Sequence, residues 1–319
     1  MQPPPTTEQL LAPILENPDL TPKTKTNYRN NCRMLETRAE RPIYEVLQHP
    51  DTYAPLFRRW RPNPTSHKVD FVLILAIFKN NPALRQEFPD AHQGWLDAFK
   101  EVDARVVARY ESNAPTERQR DGYVPFHEII AARDRLPAGD IRRLLLGVYT
   151  HIRPLRADFC RIALYRGHVP RQGAEPNYIL LNGRKGELVL NTYKTSKHHG
   201  AIRVELPPAL MDDLLLSLEK EPRDWLFVNA RHEPFKPAVF SAWAARTFER
   251  IFHRPLNLQL VRHSYISSLN FNELTVVEKK AIAADMGHDI RTQDEYRLIF
   301  TNEEQSCDCR CSPKRKPPA

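Results

Sequence analysis

The sequence predicts a mostly α-helical protein made of an all-helical N-terminal domain and an α+β domain with a small three-stranded antiparallel sheet. Its 319 residues are enough for two domains, each with its own hydrophobic core. Apolar residues recur at helical spacing through both halves of the chain. Between residues 178 and 206 this spacing gives way to three short apolar and β-branched runs separated by turn residues, which is typical of strands.

Residues 21–111 are expected to form the helical domain, after a proline-rich N-terminal segment, 1–20, that is only partly helical. Thr21-Pro22 is an N-cap followed by proline at the first helical position. Tyr28, Cys32 and Leu35 give this helix an apolar face, and the opposite face is basic, with Lys23, Lys25, Arg29 and Arg33. Further helices are expected over 43–48, over 52–60, from Thr65-Ser66 to Phe78, and from Asp90 along the apolar stripe of Trp95, Phe99, Val102, Val106 and Tyr110.

The polar, aperiodic residues 112–122 are predicted to be a linker, and residues 123–300 the second domain. Its strands are YILLN, ELVLNTY and AIRVEL, and Thr275 with Glu278 forms a capping box whose helix ends at Gly287. His288 should therefore lie just beyond a helix end. Its other helices are expected over 125–135, 140–152, Pro207-Pro208 to Leu218, and Pro237 to about Phe252.

The composition favours a polyanionic partner. Lys and Arg number 47 against 39 Asp and Glu, for a net charge of +8. No apolar run approaches the roughly 18 to 20 residues of a membrane helix, and MQPPPTTEQL lacks the features of a signal peptide, so we expect an intracellular protein.

The odd number of cysteines, five, and the clustering of three of them in the tail argue against a disulfide scaffold and indicate a reducing compartment. Cys307, Cys309 and Cys311 alternate with other residues and lack the spacing of a structural zinc site, so a metal-binding module there is a weak alternative and no metal is expected. Residues 301–319 are predicted to be a tail that is disordered or bound to a partner. The PKRK run within it is too short to establish a nuclear localisation signal.

Two arginines and a lysine are candidates for phosphate chemistry. Arg156 lies in PLRADF, where Asp158 is placed to hold an arginine head, and Arg153 is its rival. Lys194 lies in YKTSK, between the second and third predicted strands, and Lys197 is its rival. Arg262 lies in the apolar run LVRHSYISSL and needs a partner if it is buried. Taken alone, Arg156 also fits an ordinary surface ion pair, and Lys194 also fits a solvated lysine in a turn.

His288 and Tyr296 complete the set. Guanidinium groups can stabilise charge on phosphate oxygens while a phenol oxygen attacks the phosphorus and an acid protonates the leaving oxygen. Alone, His288 also fits a helix-capping histidine and Tyr296 a core tyrosine. Tyr265 is the alternative nucleophile, and its place on the face of Arg262 favours packing; His263 is expected to be structural.

Taken together, these residues resemble the tyrosine recombinase (phage integrase) family, in the divergent form of large viruses and eukaryotic mobile elements. The resemblance covers about residues 20 to 300 and rests on Arg156 with Asp158, Lys194 in YKTSK, Arg262 in VRHSYIS, Gly287-His288, and the tyrosine eight residues later. It implies the tyrosine recombinase fold, a DNA-clamping core-binding domain at 21–111 and a catalytic domain at 123–300. One position departs: Gln259 stands where the family usually has histidine, and an amide cannot take up a proton.

The resemblance implies a recombinase that works without metal, ATP or other cofactor and forms a 3′-phosphotyrosine intermediate. Arg156 and Arg262 would clamp the phosphate with His288 assisting, Lys194 would protonate the leaving oxygen, and Asp158 and Gln259 would support them. Its partner would be double-stranded DNA, contacted also by Lys23, Lys25, Arg29, Arg33 and Lys197, in a homo-tetramer assembled on that DNA. No membrane or small-molecule substrate is implied. A type IB-like topoisomerase and a DNA-binding protein that has lost catalysis are the alternatives.

Overall fold

The computed structural model of this chain describes residues 3–300, and the expectations about the tail at 301–319 concern residues outside that range. The chain divides into two compact units, Met1–Ser112 and Asn113–Ala319. Within the described range no helix combines the length and apolar character needed to cross a bilayer.

The first unit consists of helices throughout its described part: α1 (Thr7–Glu16), α2 (Pro22–Ala39), α3 (Ile43–Gln48), α4 (Pro50–Trp60), α5 (Pro64–Asn80), α6 (Pro82–Glu87) and α7 (Pro89–Glu111). The predicted N-cap Thr21 accepts a hydrogen bond from the backbone N–H of Thr24. α5 is capped by Asn63 rather than by the predicted Thr65-Ser66. α6 was not predicted.

Aromatic packing forms the core of this unit. The ring of Trp95 stacks on Phe57 at 5.3 Å and its Nε1–H donates to the carbonyl oxygen of Leu47 at 2.9 Å. Most of the predicted stripe on α7 is buried or half-buried, but Tyr110 at its end is 38% exposed.

The second unit surrounds a small sheet with helices. Its elements are α8 (Glu117–Gly122), α9 (Phe126–Arg135), α10 (Ile141–Thr150), a 3₁₀ helix (Ala157–Arg161), β1 (Ala163–Arg166), β2 (Asn177–Asn182), β3 (Lys185–Leu190), α11 (Ser196–His199), β4 (Ile202–Glu205), α12 (Pro208–Lys220), α13 (Pro237–Phe252), α14 (Leu258–Ser267), α15 (Val276–Asp285) and α16 (Ile290–Tyr296). α8 lies within 112–122, where no regular structure was predicted; Thr116 and Gln119 form its capping box.

The sheet has four strands in the order β1-β2-β3-β4. The three predicted strands are present and antiparallel, and β1 adds to them in parallel with β2. β1 was not predicted because its four residues are too few to show an alternating pattern. The sheet is therefore mixed rather than purely antiparallel.

The segment between β3 and β4 and the three C-terminal helices position the candidate site. The capping box of Thr275 and Glu278 starts α15 as predicted. Gly287, at φ +66°, ends it: its N–H donates to the carbonyl oxygen of Ala284 and that of His288 donates to the carbonyl oxygen of Ala283. This pair of bonds is a Schellman motif. It turns the chain so that the His288 side chain meets α14.

Candidate active site

A buried arginine is the centre of the site. The side chain of Arg262, on α14, is fully buried, and desolvation lowers the pKa of its guanidinium below the ordinary value. Its Nη1 donates to the carbonyl oxygens of Pro154 at 2.8 Å and Met286 at 3.2 Å, and its Nη2 lies 2.8 Å from Nδ1 of His288. A buried charge needs such partners. Arg262 therefore joins α14 to the segment before the 3₁₀ helix and to the end of α15.

The hydrogen bond to Arg262 fixes the protonation of His288. A guanidinium has no acceptor, so Nδ1 of His288 must be the acceptor and the ring proton must be on Nε2. Burial, together with the charges of Arg262 and Arg156, lowers the pKa of His288 to about 3, so the ring is neutral at physiological pH. Its Nε2 is buried and has no hydrogen-bond partner among the described residues. His288 thus presents an N–H donor, and it cannot be a general base in this tautomer.

Arg156 reaches the same place from the start of the 3₁₀ helix. Its Nη1 donates to the carbonyl oxygen of Gly287 at 3.1 Å. Asp158, expected to hold an arginine head, instead accepts from the backbone N–H of Arg156 at 3.1 Å, and burial raises the pKa of its carboxyl group. Asp158 therefore fixes the backbone from which Arg156 extends. Its rival Arg153 forms an ion pair with Asp285 of α15.

Tyr296 is the last residue of α16, and it is 6% exposed in a small cluster with Ile266, Phe271, Ile282 and Met286. The ring stacks on His288 at 5.3 Å, and the guanidinium carbon of Arg262 lies 4.9 Å from its centroid. Burial raises the pKa of the phenol, but the charges of Arg262 and Arg156 and hydrogen bonds from Gln259 and Arg262 outweigh it, so that the pKa lies below its ordinary value. The core-tyrosine interpretation therefore describes the ring, while the charges of Arg262 and Arg156 act on the phenol.

Lys194 is exposed in the segment between β3 and α11. Its two neighbours contact the end of α15: Thr195 Oγ1 donates to the carbonyl oxygen of Gly287 at 2.7 Å, and a Cβ on Gly287 would lie 3.0 Å from the ring of Tyr193. These contacts bring the backbone of Lys194 to the Gly287-His288 corner. Thr195 was not predicted from the sequence, nor was His199, whose charge acts on His288 and Asp289. Both lie within the YKTSKHHG segment, but nothing in their spacing identifies them as residues of the site.

The remaining candidates lie outside this cluster. On α2, Lys23, Arg29 and Arg33 are exposed and Lys25 is half-buried, opposite the buried Cys32 and Leu35. Lys197 is exposed on α11. Tyr265 packs its ring on Phe126 at 5.2 Å, and burial raises the pKa of its phenol, which agrees with the packing role expected for it.

No protein-family model and no curated protein matches this sequence. Solved structures do match its fold. One described as a lambda integrase dimer bound to a COC′ core site aligns with a TM-score of 0.55 at 15% identity, over 92% of this chain and 77% of that one. One of XerA recombinase aligns with a TM-score of 0.40 at 13% identity, over 96% and 99%. The likeness to the lambda integrase structure confirms the expected fold: this chain has the tyrosine recombinase fold.

Proposed function

We propose that this chain is a DNA strand transferase of the tyrosine recombinase family, with Tyr296 as its nucleophile. The observation that carries the proposal is the surroundings of the Tyr296 phenol, whose pKa is held below its ordinary value by Arg262, Gln259 and Arg156 although the side chain is buried. A tyrosine that serves only for packing gains nothing from two nearby cations that favour its phenolate. A nucleophile does, because they favour the phenolate.

In the proposed step the phenol oxygen of Tyr296 bonds to a DNA phosphorus and the bond from phosphorus to the 5′ oxygen breaks. The phenol proton passes to water, and Lys194 protonates the leaving 5′ oxygen. The products are a 3′-phosphotyrosine and a free 5′ hydroxyl. Attack by a 5′ hydroxyl of a partner strand reverses the step, so phosphodiester bond energy is conserved and the reaction as proposed uses no ATP, metal or other cofactor.

Arg156, Arg262 and His288 are proposed to hold the non-bridging phosphate oxygens. Arginine suits this role because its planar fork can donate two parallel hydrogen bonds to phosphate. The unpartnered Nε2–H of His288 supplies one more donor beside the phenol. Preorganised donors of this kind stabilise the charge that develops in a transition state.

We propose double-stranded DNA as the partner, with the basic face of α2 and Lys197 contacting phosphates and the protein acting as a homo-tetramer on DNA inside the cell. The net charge of +8 supports a polyanionic partner. The description of the lambda integrase structure as bound to a core site supports it as well.

A suicide-substrate assay tests the proposal. The purified chain is mixed in EDTA with nicked duplexes from the flanks of its own gene, and covalent protein–DNA complex is scored on a denaturing gel. Wild type should give a band that Tyr296→Phe abolishes, whereas Tyr265→Phe, the matched control on α14, retains it. A band that persists in Tyr296→Phe and is lost in Tyr265→Phe would refute the assignment of the nucleophile.

A DNA-binding protein without catalysis is the second candidate, and Gln259 favours it. Gln259 is exposed and helps to lower the pKa of the Tyr296 phenol, but an amide does not accept a proton as a neutral imidazole does. If the chain binds duplexes tightly and forms no covalent complex with any of them, this candidate is supported.

A further inference from the structure

We infer that Gln119 and His263 are positioning residues for Tyr296, linked by hydrogen bonds that start in the segment that follows the first unit and end at the tyrosine's backbone. The inference rests on the proposed function. His263 Nδ1 lies 2.6 Å from the carbonyl oxygen of Tyr296, and His263 Nε2 lies 3.4 Å from Nε2 of Gln119. We call these three residues the relay.

The orientation of Gln119 is set by the capping box of α8. Its Oε1 accepts hydrogen bonds from the backbone N–H of Thr116 at 2.9 Å and from the Thr116 hydroxyl at 3.0 Å. The backbone N–H can only donate, so the amide oxygen faces Thr116 and the amide nitrogen faces His263. Gln119 therefore donates to the ring.

The two ends of the relay require the same tautomer of His263. Gln119 donates, so Nε2 of His263 must accept, and the carbonyl oxygen of Tyr296 accepts, so Nδ1 must donate. A neutral ring with its proton on Nδ1 satisfies both bonds. Burial lowers the pKa of His263, and the charge of Arg262 adds to this effect, which keeps the ring neutral.

The bond to the carbonyl oxygen matters because Tyr296 ends a short helix. α16 has seven residues, and the last carbonyl groups of a helix have no partner within it. An isolated helix of this length is unstable in water, so its position depends on tertiary contacts. By holding the Tyr296 carbonyl, with its ring 4.8 Å from the phenol ring, His263 fixes the backbone from which the nucleophile extends.

The residues after Tyr296 are held by the same parts of the fold. The backbone N–H of Leu298 donates to Ser267 Oγ at 2.8 Å, and that of Ile299 donates to the carbonyl oxygen of Asn113 at 3.0 Å. The ring of Phe300 lies 4.4 Å from that of Tyr123. Residues 113–123, which directly follow the first unit, thus contact the nucleophile's segment through Gln119, Asn113 and Tyr123. A change in this segment would reach Tyr296.

Two substitutions at His263, with one at Gln119 and its matched control, separate positioning from folding. Gln119→Glu keeps the acceptor of the capping box but puts a carboxylate, which can only accept, in place of the donor to His263. Gln9→Glu makes the same exchange, with the same added charge, in the capping box of α1, Thr6 with Gln9, as the matched control. His263→Phe keeps a ring without the donor. His263→Asn restores a donor, since its amide nitrogen can take the place of Nδ1.

The rate of covalent complex formation at saturating DNA should fall about 10- to 100-fold in His263→Phe and Gln119→Glu, because misplacing a reacting group by about 1 Å costs up to ~10²-fold. DNA affinity should stay unchanged, Gln9→Glu should match wild type, and His263→Asn should recover part of the rate. A wild-type rate in His263→Phe would overturn the inference. Equal losses of rate in His263→Phe and His263→Asn would overturn it as well.

A second readout does not depend on activity. In the full chain labelled with ¹³Cζ-tyrosine, the Tyr296 resonance, identified with Tyr296→Phe, reports the phenol pKa by titration. His263→Phe and Gln119→Glu should raise that pKa, because the phenol moves away from Arg262, and Gln9→Glu should not. An unchanged pKa would overturn the inference even in a protein without strand-transfer activity. Absence of cleavage in wild type would count only against the proposed function.

Discussion

Replacing His288 by its two amide mimics should separate its bond to Arg262 from its proposed donation to phosphate. In His288→Asn the side-chain oxygen can take the place of Nδ1 and accept from Arg262. In His288→Gln the amide nitrogen can take the place of Nε2 and donate towards the substrate. Each variant keeps one of the two functions that the tautomer assigns to the ring.

The magnitudes follow from the two bonds. His288→Gln leaves Nη2 of Arg262 without its buried acceptor, a loss of about 1.5–3 kcal/mol for a bond to a charged group. His288→Asn keeps that bond. Both variants lose the ring stacked on Tyr296, about 0.5–1.5 kcal/mol. The loss of the ring cancels in the comparison, so His288→Gln should be about 1.5–3 kcal/mol less stable than His288→Asn. His288→Asn should cleave about 10²- to 10³-fold more slowly than wild type, the cost of one transition-state donor.

Urea denaturation and single-turnover cleavage of a suicide substrate measure the two effects. The expected pattern is crossed: Asn is the more stable variant and Gln the more active. If Asn is both more stable and more active than Gln, the Nε2–H of His288 is not the group that acts on the substrate, and the reasoning from its tautomer is refuted.

Because the pKa of His288 is about 3 in the folded chain and ordinarily 6.5, the stability advantage of wild type over His288→Asn should shrink as the pH falls from about 6.5 towards 3, by up to ~1.4 kcal/mol per pH unit. Urea titrations at pH 7 and 4.5 measure this advantage, and an unchanged value contradicts the prediction. Gln259→His should speed cleavage by about 10-fold or more at pH 7.5, because imidazole can take the phenol's proton, whereas Gln259→Ala should not; a slower His variant in the gel assay counts against this. Lys194→Ala should slow cleavage of a natural phosphodiester about 10²-fold but should have little effect on a 5′-bridging phosphorothiolate, because its thiolate leaves without a proton. Equal losses of rate on both substrates would exclude an acid role for Lys194. Replacing Lys23, Arg29 and Arg33 by Ala should reduce the slope of log affinity against log salt concentration by about 0.9 for each phosphate that is no longer neutralised. Fluorescence anisotropy measures this slope, with Lys79→Ala on α5 as the control, and an unchanged slope would exclude α2 from the DNA interface.

Periodicity and capping residues were enough to predict most helices of this chain. α3 and α13 span the predicted residues, and Asp140 and Thr275 cap α10 and α15 as expected. These signals are local: a cap and a helical repeat depend on residues three or four positions apart. The short elements α6, α8, α11 and β1, of four to six residues, were missed, although α3, also of six residues, was predicted, because so few positions give only a weak repeat.

The order of residues suggested the candidate site, but not how its members contact one another. Arg262 was expected to need a partner, and the structure supplies it through His288, 26 residues away. The bond from Gln119 to His263 spans 144 positions, and no local pattern predicts such a pair. Asp158 was correctly associated with Arg156, but its bond is to the backbone and not to the guanidinium, since sequence spacing does not reveal which atoms meet.

Gly287 explains why the Gly-His pair can be recognised in the sequence. At φ +66° it adopts a left-handed conformation that glycine tolerates best, and it ends α15 with a Schellman motif. Its carbonyl oxygen accepts from both Arg156 and Thr195, and an added Cβ would lie 3.0 Å from the ring of Tyr193. A side chain at this position would strain the backbone and push away the segment that carries Lys194. The turn at Gly287 thus directs His288 towards Arg262 and also binds Arg156 and the segment that carries Lys194. A glycine directly before the histidine is therefore part of the pattern formed by the candidate site residues.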